Sequence, residues 1–204
     1  PLFQILVAEF AGQRGRLDIA AESYADAALQ LQDLDVAKRA TRIAVFSRNN
    51  QAALQSAKIW VAQAPKDIEA RQILAAMHIR SGEVEAAITQ LETVLNADTQ
   101  ASTRRLGTIA NLLSREEDKL TALKVMERLI DKRDNDADAQ LAYALLAIRA
   151  EEVERANKAM ERVLESDIGN SNIAMAYVGL LQKNSKSLTA FNWLERAIKK
   201  SPND

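Results

Sequence analysis

The 204 residues, 48% of them hydrophobic, are enough to bury a substantial core, and 27 basic against 28 acidic side chains leave no net field to draw the chain onto nucleic acid or an anionic membrane. The absence of cysteine excludes disulfides, thiolate nucleophiles and thiolate metal sites, and leaves a cytosolic or a periplasmic setting open. Six glycines and three prolines among abundant Ala, Leu, Glu, Gln, Lys and Arg describe helices joined by short turns, with no strand and no apolar run of the ~20 residues that a membrane span needs.

In chain order, the sequence opens at Pro1 without an initiator Met, directly inside an apolar helical pattern (Leu2, Phe3, Ile5, Leu6, Val7) and with no signal peptide, so a slice of a longer protein is expected. Alanines at 20, 53, 87, 122, 156 and 190 then recur 33, 34, 35, 34 and 34 residues apart, which marks one supersecondary unit copied six times. The units span about 1–33, 34–67, 68–101, 102–135, 136–169 and 170–204. Each alanine is followed four and seven places on by residues of the same helix face: Tyr24 and Ala27, Ala57 and Trp60, Leu91 and Val94 in the first three units. Met126 and Leu129, Met160 and Val163, Leu194 and Ala197 follow in the last three. Twelve residues before each alanine stands Ala8, Thr41, Ala75, Ala110, Ala144 or Val178, small enough to let a preceding helix approach to about 8–10 Å between axes. Gly15, Asn49 with Asn50, Gly82, and Asn184 with Ser185 lie between the two helices as residues able to turn left-handed, and Pro65 and Pro202 stop the second helix of their units.

Ala20 with Tyr24 and Ala27, Ala53 with Pro65, and Ala190 with Ala197 and Pro202 resemble the tetratricopeptide-repeat signature, and the likeness covers essentially the whole chain. It departs from that pattern in lacking the large aromatic in most first helices and in carrying Trp60 where a small residue is typical. The resemblance implies an all-α, right-handed superhelical solenoid of six helix-turn-helix repeats, one domain over 1–204, with first helices lining a concave face. The stretches Ala8–Leu29 and Ala37–Pro65 further resemble the first repeats of proteobacterial envelope lipoproteins of the protease-adaptor type. That narrower likeness implies a periplasmic, outer-membrane-anchored protein whose lipid anchor lies upstream of this segment, and a processing protease as a possible partner; a cytoplasmic protein is the alternative.

Little catalytic chemistry is legible. His78, the lone histidine, falls where the family places a ring between repeats and is expected to pack; without a second His or any Cys there is no imidazole or thiolate cluster for zinc or nucleophilic catalysis. Asp134, Asp136 and Asp138 alternate as a calcium loop would, yet Ala139 replaces the required Gly and Leu145 the bidentate Glu, so they read as an acidic helix start. Trp60, Trp193, Phe191 and Tyr143 lie on apolar helix faces and are expected to pack. No catalytic residue, metal ligand or cofactor is assigned.

The candidate binding site is a cation at one repeated place near the end of the first helix: Arg80, Arg115, Arg149 and Lys183, beside Arg104 and Asn111. Such a column can offer forked donors to carboxylates, or can simply complement helix dipoles at ~0.3–1 kcal/mol per site. Leu2, Ile5, Val45 and Phe46 make the same face more apolar in the first two units, so Ile5 and Phe46 complete the candidate groove. The function expected is a non-catalytic scaffold or adaptor that holds a peptide or partner protein on the concave face, an acidic or C-terminal segment being one such partner. The alternatives are an RNA-binding helical-repeat protein, against which the balanced charge counts, and a self-assembling structural scaffold.

Overall fold

The computed structural model describes residues 1–97, 102–131, 136–165 and 171–200. Among them all regular structure is helical. Helices α1 (Leu2–Gln13), α2 (Leu17–Leu31), α3 (Leu34–Phe46), α4 (Asn50–Gln63), α5 (Ile68–Arg80) and α6 (Val84–Asn96) form three hairpins. Three more are formed by α7 (Ser102–Leu113), α8 (Lys119–Ile130), α9 (Ala137–Arg149), α10 (Val153–Glu165), α11 (Ser171–Lys183) and α12 (Ser187–Lys200). Every helix pair falls inside one of the repeats read from the alanines. Contacts divide the chain into two compact units, Pro1–Ala97 and Asp98–Asp204.

The helix starts follow from short polar side chains that take up otherwise orphaned backbone N–H groups. Asp33 accepts from the amides of Asp35 and Val36, each at 3.0 Å, and Asn49 from Ala52 at 3.0 Å. Asp67 accepts from Ala70 at 3.2 Å, Asp118 from Thr121 at 2.9 Å and Asp136 from Ala139 at 3.1 Å. The acidic start expected at Asp136 is thus a helix cap, with Asp138 in the first turn of α9; Asp134 lies outside the described residues. Pro65 falls two residues beyond α4, as expected, and Pro202 also lies outside the described residues.

Five of the six hairpin turns are built alike. The residue five places before the repeat alanine has a positive φ: Gly15 (71°), Arg48 (58°), Gly82 (73°), Glu151 (64°) and Ser185 (60°). The next amide returns to a carbonyl five residues earlier, from Arg16 to Ala11, Asn49 to Ala44, Glu83 to His78, Glu152 to Ala147 and Lys186 to Leu181, at 2.8–2.9 Å. This six-to-one bond closes a left-handed helix end and satisfies a terminal carbonyl. Asn49 and Asn50 were expected to supply the left-handed residue of the second turn. Arg48 supplies it, because the repeat register fixes its place, and Asn49 caps the next helix. The fourth turn differs: the ammonium of Lys119 donates to the carbonyls of Ser114 (2.7 Å) and Glu116 (2.5 Å).

Packing follows the two alanine registers. Ala20, Ala53, Ala87, Ala122, Ala156 and Ala190 are all buried, as are Ala8, Thr41, Ala75, Ala110, Ala144 and Val178 across the hairpins. Buried Thr41 returns its hydroxyl to the carbonyl of Ala37 at 2.7 Å, so a hydroxyl fits among alanines at no loss of hydrogen bonding. In the first unit the core is alanine-rich, with Ala8, Ala28, Ala37, Ala40 and Ala70 around Tyr24 and Trp60. In the second unit larger side chains fill the corresponding space, among them Leu106, Leu123, Met126, Leu146 and Met160. Trp193 and Tyr143 are buried as expected, but Phe191 is 65% exposed. Its helix face is apolar, yet the element that would cover it is a next repeat, and α12 is the last helix described.

Candidate functional site

Of the proposed groove residues Ile5 is half-buried and the others are exposed. Ile5 turns half into the core beside Tyr24, whereas Phe46 is 76% exposed at the end of α3. Leu2 is also exposed, and Val45 is half-buried against the alanine cluster of α2, α3 and α4. In the first unit Arg80 ends α5 and donates to Asn50 Oδ1 of the preceding repeat at 3.3 Å.

In the second unit α9 packs against both α7 and α11, so three first helices lie side by side. Arg149 in the last turn of α9 reaches back to the preceding repeat, its Nη1 donating to Asn111 Oδ1 (2.6 Å) and Ser114 Oγ (2.9 Å). The structure therefore joins Arg149 to Asn111 within the candidate set. Arg115 lies past the end of α7, in the turn and not on the helix, because the fourth turn is the one closed by Lys119. Arg104 on α7, Arg115, and Lys183 in the last turn of α11 are exposed, and among the described residues nothing pairs with them.

His78 is buried and its Nδ1 meets Glu83 Oε2 at 2.6 Å across the third turn, a packing position tied to a surface carboxylate. Trp60 is fully buried. Its indole N–H donates to Asp67 Oδ2 at 3.0 Å, the same carboxylate that caps α5, while Lys38 and Arg42 lie over the ring at 5.7 and 5.4 Å. Arg42 in turn pairs with Glu69 at 3.0 Å, a second tie to the following repeat.

A further constellation was not anticipated. Buried tyrosines stand in the first helices of repeats five and six, Tyr143 and Tyr177, 34 residues apart, each opposite a glutamate of the preceding second helix, Glu127 or Glu161, also 34 apart. Tyr143 donates to Glu127 Oε1 at 2.5 Å and Arg155 donates to the same oxygen at 3.2 Å. Tyr177 donates to Asn157 at 2.8 Å and meets Trp193 edge-on at 5.0 Å, while Arg196 pairs with Glu161 at 2.5 Å. Burial first, then the Glu127 carboxylate, pushes the Tyr143 phenol well above its ordinary range, so it stays a protonated donor and serves as no base. Beside it a cleft of about 440 Å³ opens between α8, α9 and α10, lined by Asp131, Gln140, Tyr143, Lys158 and Arg162 among others. The equal spacing of the Tyr and Glu pairs was the sequence signal for this constellation. Among the described residues no group of three His, Asp or Glu is arranged to hold a metal ion.

Across its full length the chain aligns at 30% identity, over 208 residues, with a curated TPR repeat-containing protein of Pseudomonas aeruginosa. With its six hairpins on two alanine registers, the chain is similar to that tetratricopeptide-repeat protein along its whole length. It spans 34% of that relative's length. No family model matches the sequence. Solved structures with similar tetratricopeptide-type folds include a MamA protein (16% identity, TM-score 0.46, covering 80% of this chain and 90% of that one) and a tetratricopeptide-repeat protein of Parabacteroides merdae (16%, 0.45, 97% and 78%). YrrB, described as a TPR protein with an unusual peptide-binding site, is similar at 16% identity and a TM-score of 0.38, covering 90% of this chain and 95% of that one. Tetratricopeptide repeats are in general a non-catalytic protein-interaction fold, and no described helix is long and apolar enough to cross a membrane.

Proposed function

We propose that this chain is a non-catalytic scaffold or adaptor that holds a peptide or a partner's extended segment against the first helices of its hairpins, with carboxylates of that segment as the groups recognised. The observation that carries the reading is the state of the cations in the second unit. Arg149 spends only Nη1 on Asn111 and Ser114. That anchors the guanidinium and leaves its Nε–Nη2 edge, the forked pair of donors that matches a carboxylate. Arg115 and Lys183 stand exposed at the ends of the neighbouring first helices. An ordered donor between two free cations suits an acidic or C-terminal segment running across the ends of α7, α9 and α11. Dipole complementation alone would not require the cation to be tied down.

Photo-cross-linking residues placed at Arg104 and Arg115, and at Lys124 on a second helix as control, test this in the full-length protein. The expected adducts come from Arg104 and Arg115 and contain an acidic or carboxy-terminal partner segment. Labelling confined to Lys124, or spread equally over the three, would overturn the proposal. The likeness of the first two repeats to envelope lipoproteins supports a periplasmic address for the whole protein and a processing protease as the first partner to try. Recovery of the protein in the cytoplasmic fraction would refute the address.

A further inference from the structure

Tyr143 and Tyr177 hold the same place in successive repeats, and both are buried. The second helices of those two repeats differ three residues past the repeat alanine, where α10 carries Ala159 and α12 carries Trp193. In repeat six the indole is fully buried and meets the Tyr177 ring edge-on, with centroids 5.0 Å apart. In repeat five the side chain at that place is a single methyl group, and the cleft of about 440 Å³ opens beside Tyr143 with Ala159 in its wall. Space that a tryptophan fills in one repeat is thus open in the repeat before it. The three helices around the cleft, α8, α9 and α10, belong to interior repeats, so the opening owes nothing to either end of the chain.

The charges in the wall are unevenly shared. From α10 come Arg155, Lys158 and Arg162, three and four residues apart and hence on one face of the helix, and from α8 come Glu127 and Asp131. Three cations against two carboxylates leave the wall net positive. Glu127 is already held by the Tyr143 hydroxyl at 2.5 Å and by Arg155 at 3.2 Å. Lys158 is exposed, and among the described residues nothing pairs with it.

We propose that this cleft binds a planar aromatic ring of indole size that carries a carboxylate. The ring takes beside Tyr143 the place that Trp193 takes beside Tyr177, and the carboxylate meets Lys158. The volume lies within the range of about 300–1,000 Å³ usual for ligand pockets, and the ring quadrupoles favour the edge-to-face pairing that Tyr177 and Trp193 already show. Ring and acid occur together in a free aromatic acid and in an aromatic residue that ends a partner's chain. The cleft shares no residue with the cation row at Arg115, Arg149 and Lys183, so its test is separate from that of the row.

The 204-residue chain is titrated with indole-3-acetate and with the tripeptide glycyl-glycyl-tryptophan, followed by calorimetry and by amide NMR shifts. At least one probe should bind at about 1 mM or tighter, the range open to a ligand of this size, and should shift the amides around Tyr143 and Ala159. The tighter of the two tells a free acid from a chain end. Ala159→Trp copies the arrangement of repeat six and should abolish binding with helix content unchanged by circular dichroism. Lys158→Glu, at an exposed site independent of repacking, should weaken binding by about fivefold. Indole-3-acetamide, which keeps the ring and loses the charge, should be weaker than indole-3-acetate by a similar factor. No binding of either probe to the wild type, or binding that Ala159→Trp leaves intact, would overturn the proposal. So would equal affinities for the acid and the amide, or affinity unmoved by Lys158→Glu.

Discussion

At the residue scale the buried tyrosines and Trp60 are fastened by their polar heads. Tyr24 is the clearest case, its hydroxyl donating to Glu9 while Arg39 pairs with the same carboxylate at 2.6 Å and lies 5.2 Å over the ring. Burial, reinforced by the bond to Glu9, pushes the phenol up to about 12 from its ordinary value of 10.0. A pKa raised by folding means that the folded state favours the protonated hydroxyl. That contribution is complete below pH ~10 and is lost as pH rises through about 12. Denaturant titrations between pH 9 and ~12 should therefore show stability falling, with a shallower fall in Tyr24→Phe; an identical slope in wild type and variant would contradict the assignment. The repeat alanines make a second prediction. Ala87 and Ala122 are fully buried between helices, so Ala87→Leu should cost roughly 1–3 kcal/mol by overpacking, while the same change at exposed Ala62 should cost little. A thermal midpoint unmoved by Ala87→Leu would break the register.

At the element scale the hairpin turn is the repeated device, and in five of the six its chemistry varies while its geometry does not. Gly15 and Gly82 take the left-handed place without strain, whereas Arg48, Glu151 and Ser185 hold it with a Cβ. Arg48→Gly and Glu151→Gly should each stabilise by about 0.5–1 kcal/mol through relief of that strain, read as a rise in denaturation midpoint at unchanged slope. The fourth turn should respond differently, since Lys119→Met removes the ammonium from the Ser114 and Glu116 carbonyls and should destabilise by about 1 kcal/mol or more. Loss of stability in Glu151→Gly, or none in Lys119→Met, would contradict this account. The helices, their pairing and the two buried alanine registers were legible in the sequence because a period near 34 survives any change of side chain. The left-handed residue at Arg48 was not, because Asn49 and Asn50 are better intrinsic turn formers and only the register, which outranks propensity, points one place earlier. Phe191 misled for a related reason: a helix face shows its apolar stripe, and the stripe does not show whether a neighbour exists to cover it.

At the scale of the whole molecule, function rests on what a run of like repeats can present. Identical places on successive first helices become neighbours, so a cation recurring once per repeat becomes a row, and α7, α9 and α11 bring Arg115, Arg149 and Lys183 to one end of three adjacent hairpins. The recurrence was visible in the sequence. The bond from Arg149 to Asn111 was not, since it joins residues 38 apart through space, and neither was the displacement of Arg115 into its turn. If the row recognises carboxylates, its contribution depends on how far binding dries it. Exposed pairs would be worth ~0.2–1 kcal/mol each, and desolvated, forked ones several kcal/mol, expressed chiefly in the off-rate. The decisive measurement is titration calorimetry of the cross-linked partner's segment against wild type, Arg115→Glu/Lys183→Glu, and Lys58→Glu/Lys124→Glu as a control of equal charge change, at low and at physiological salt. A loss of tenfold or more confined to the Arg115/Lys183 pair, and persisting at the higher salt, is the predicted result; equal affinities in the three proteins would contradict the binding role of the row.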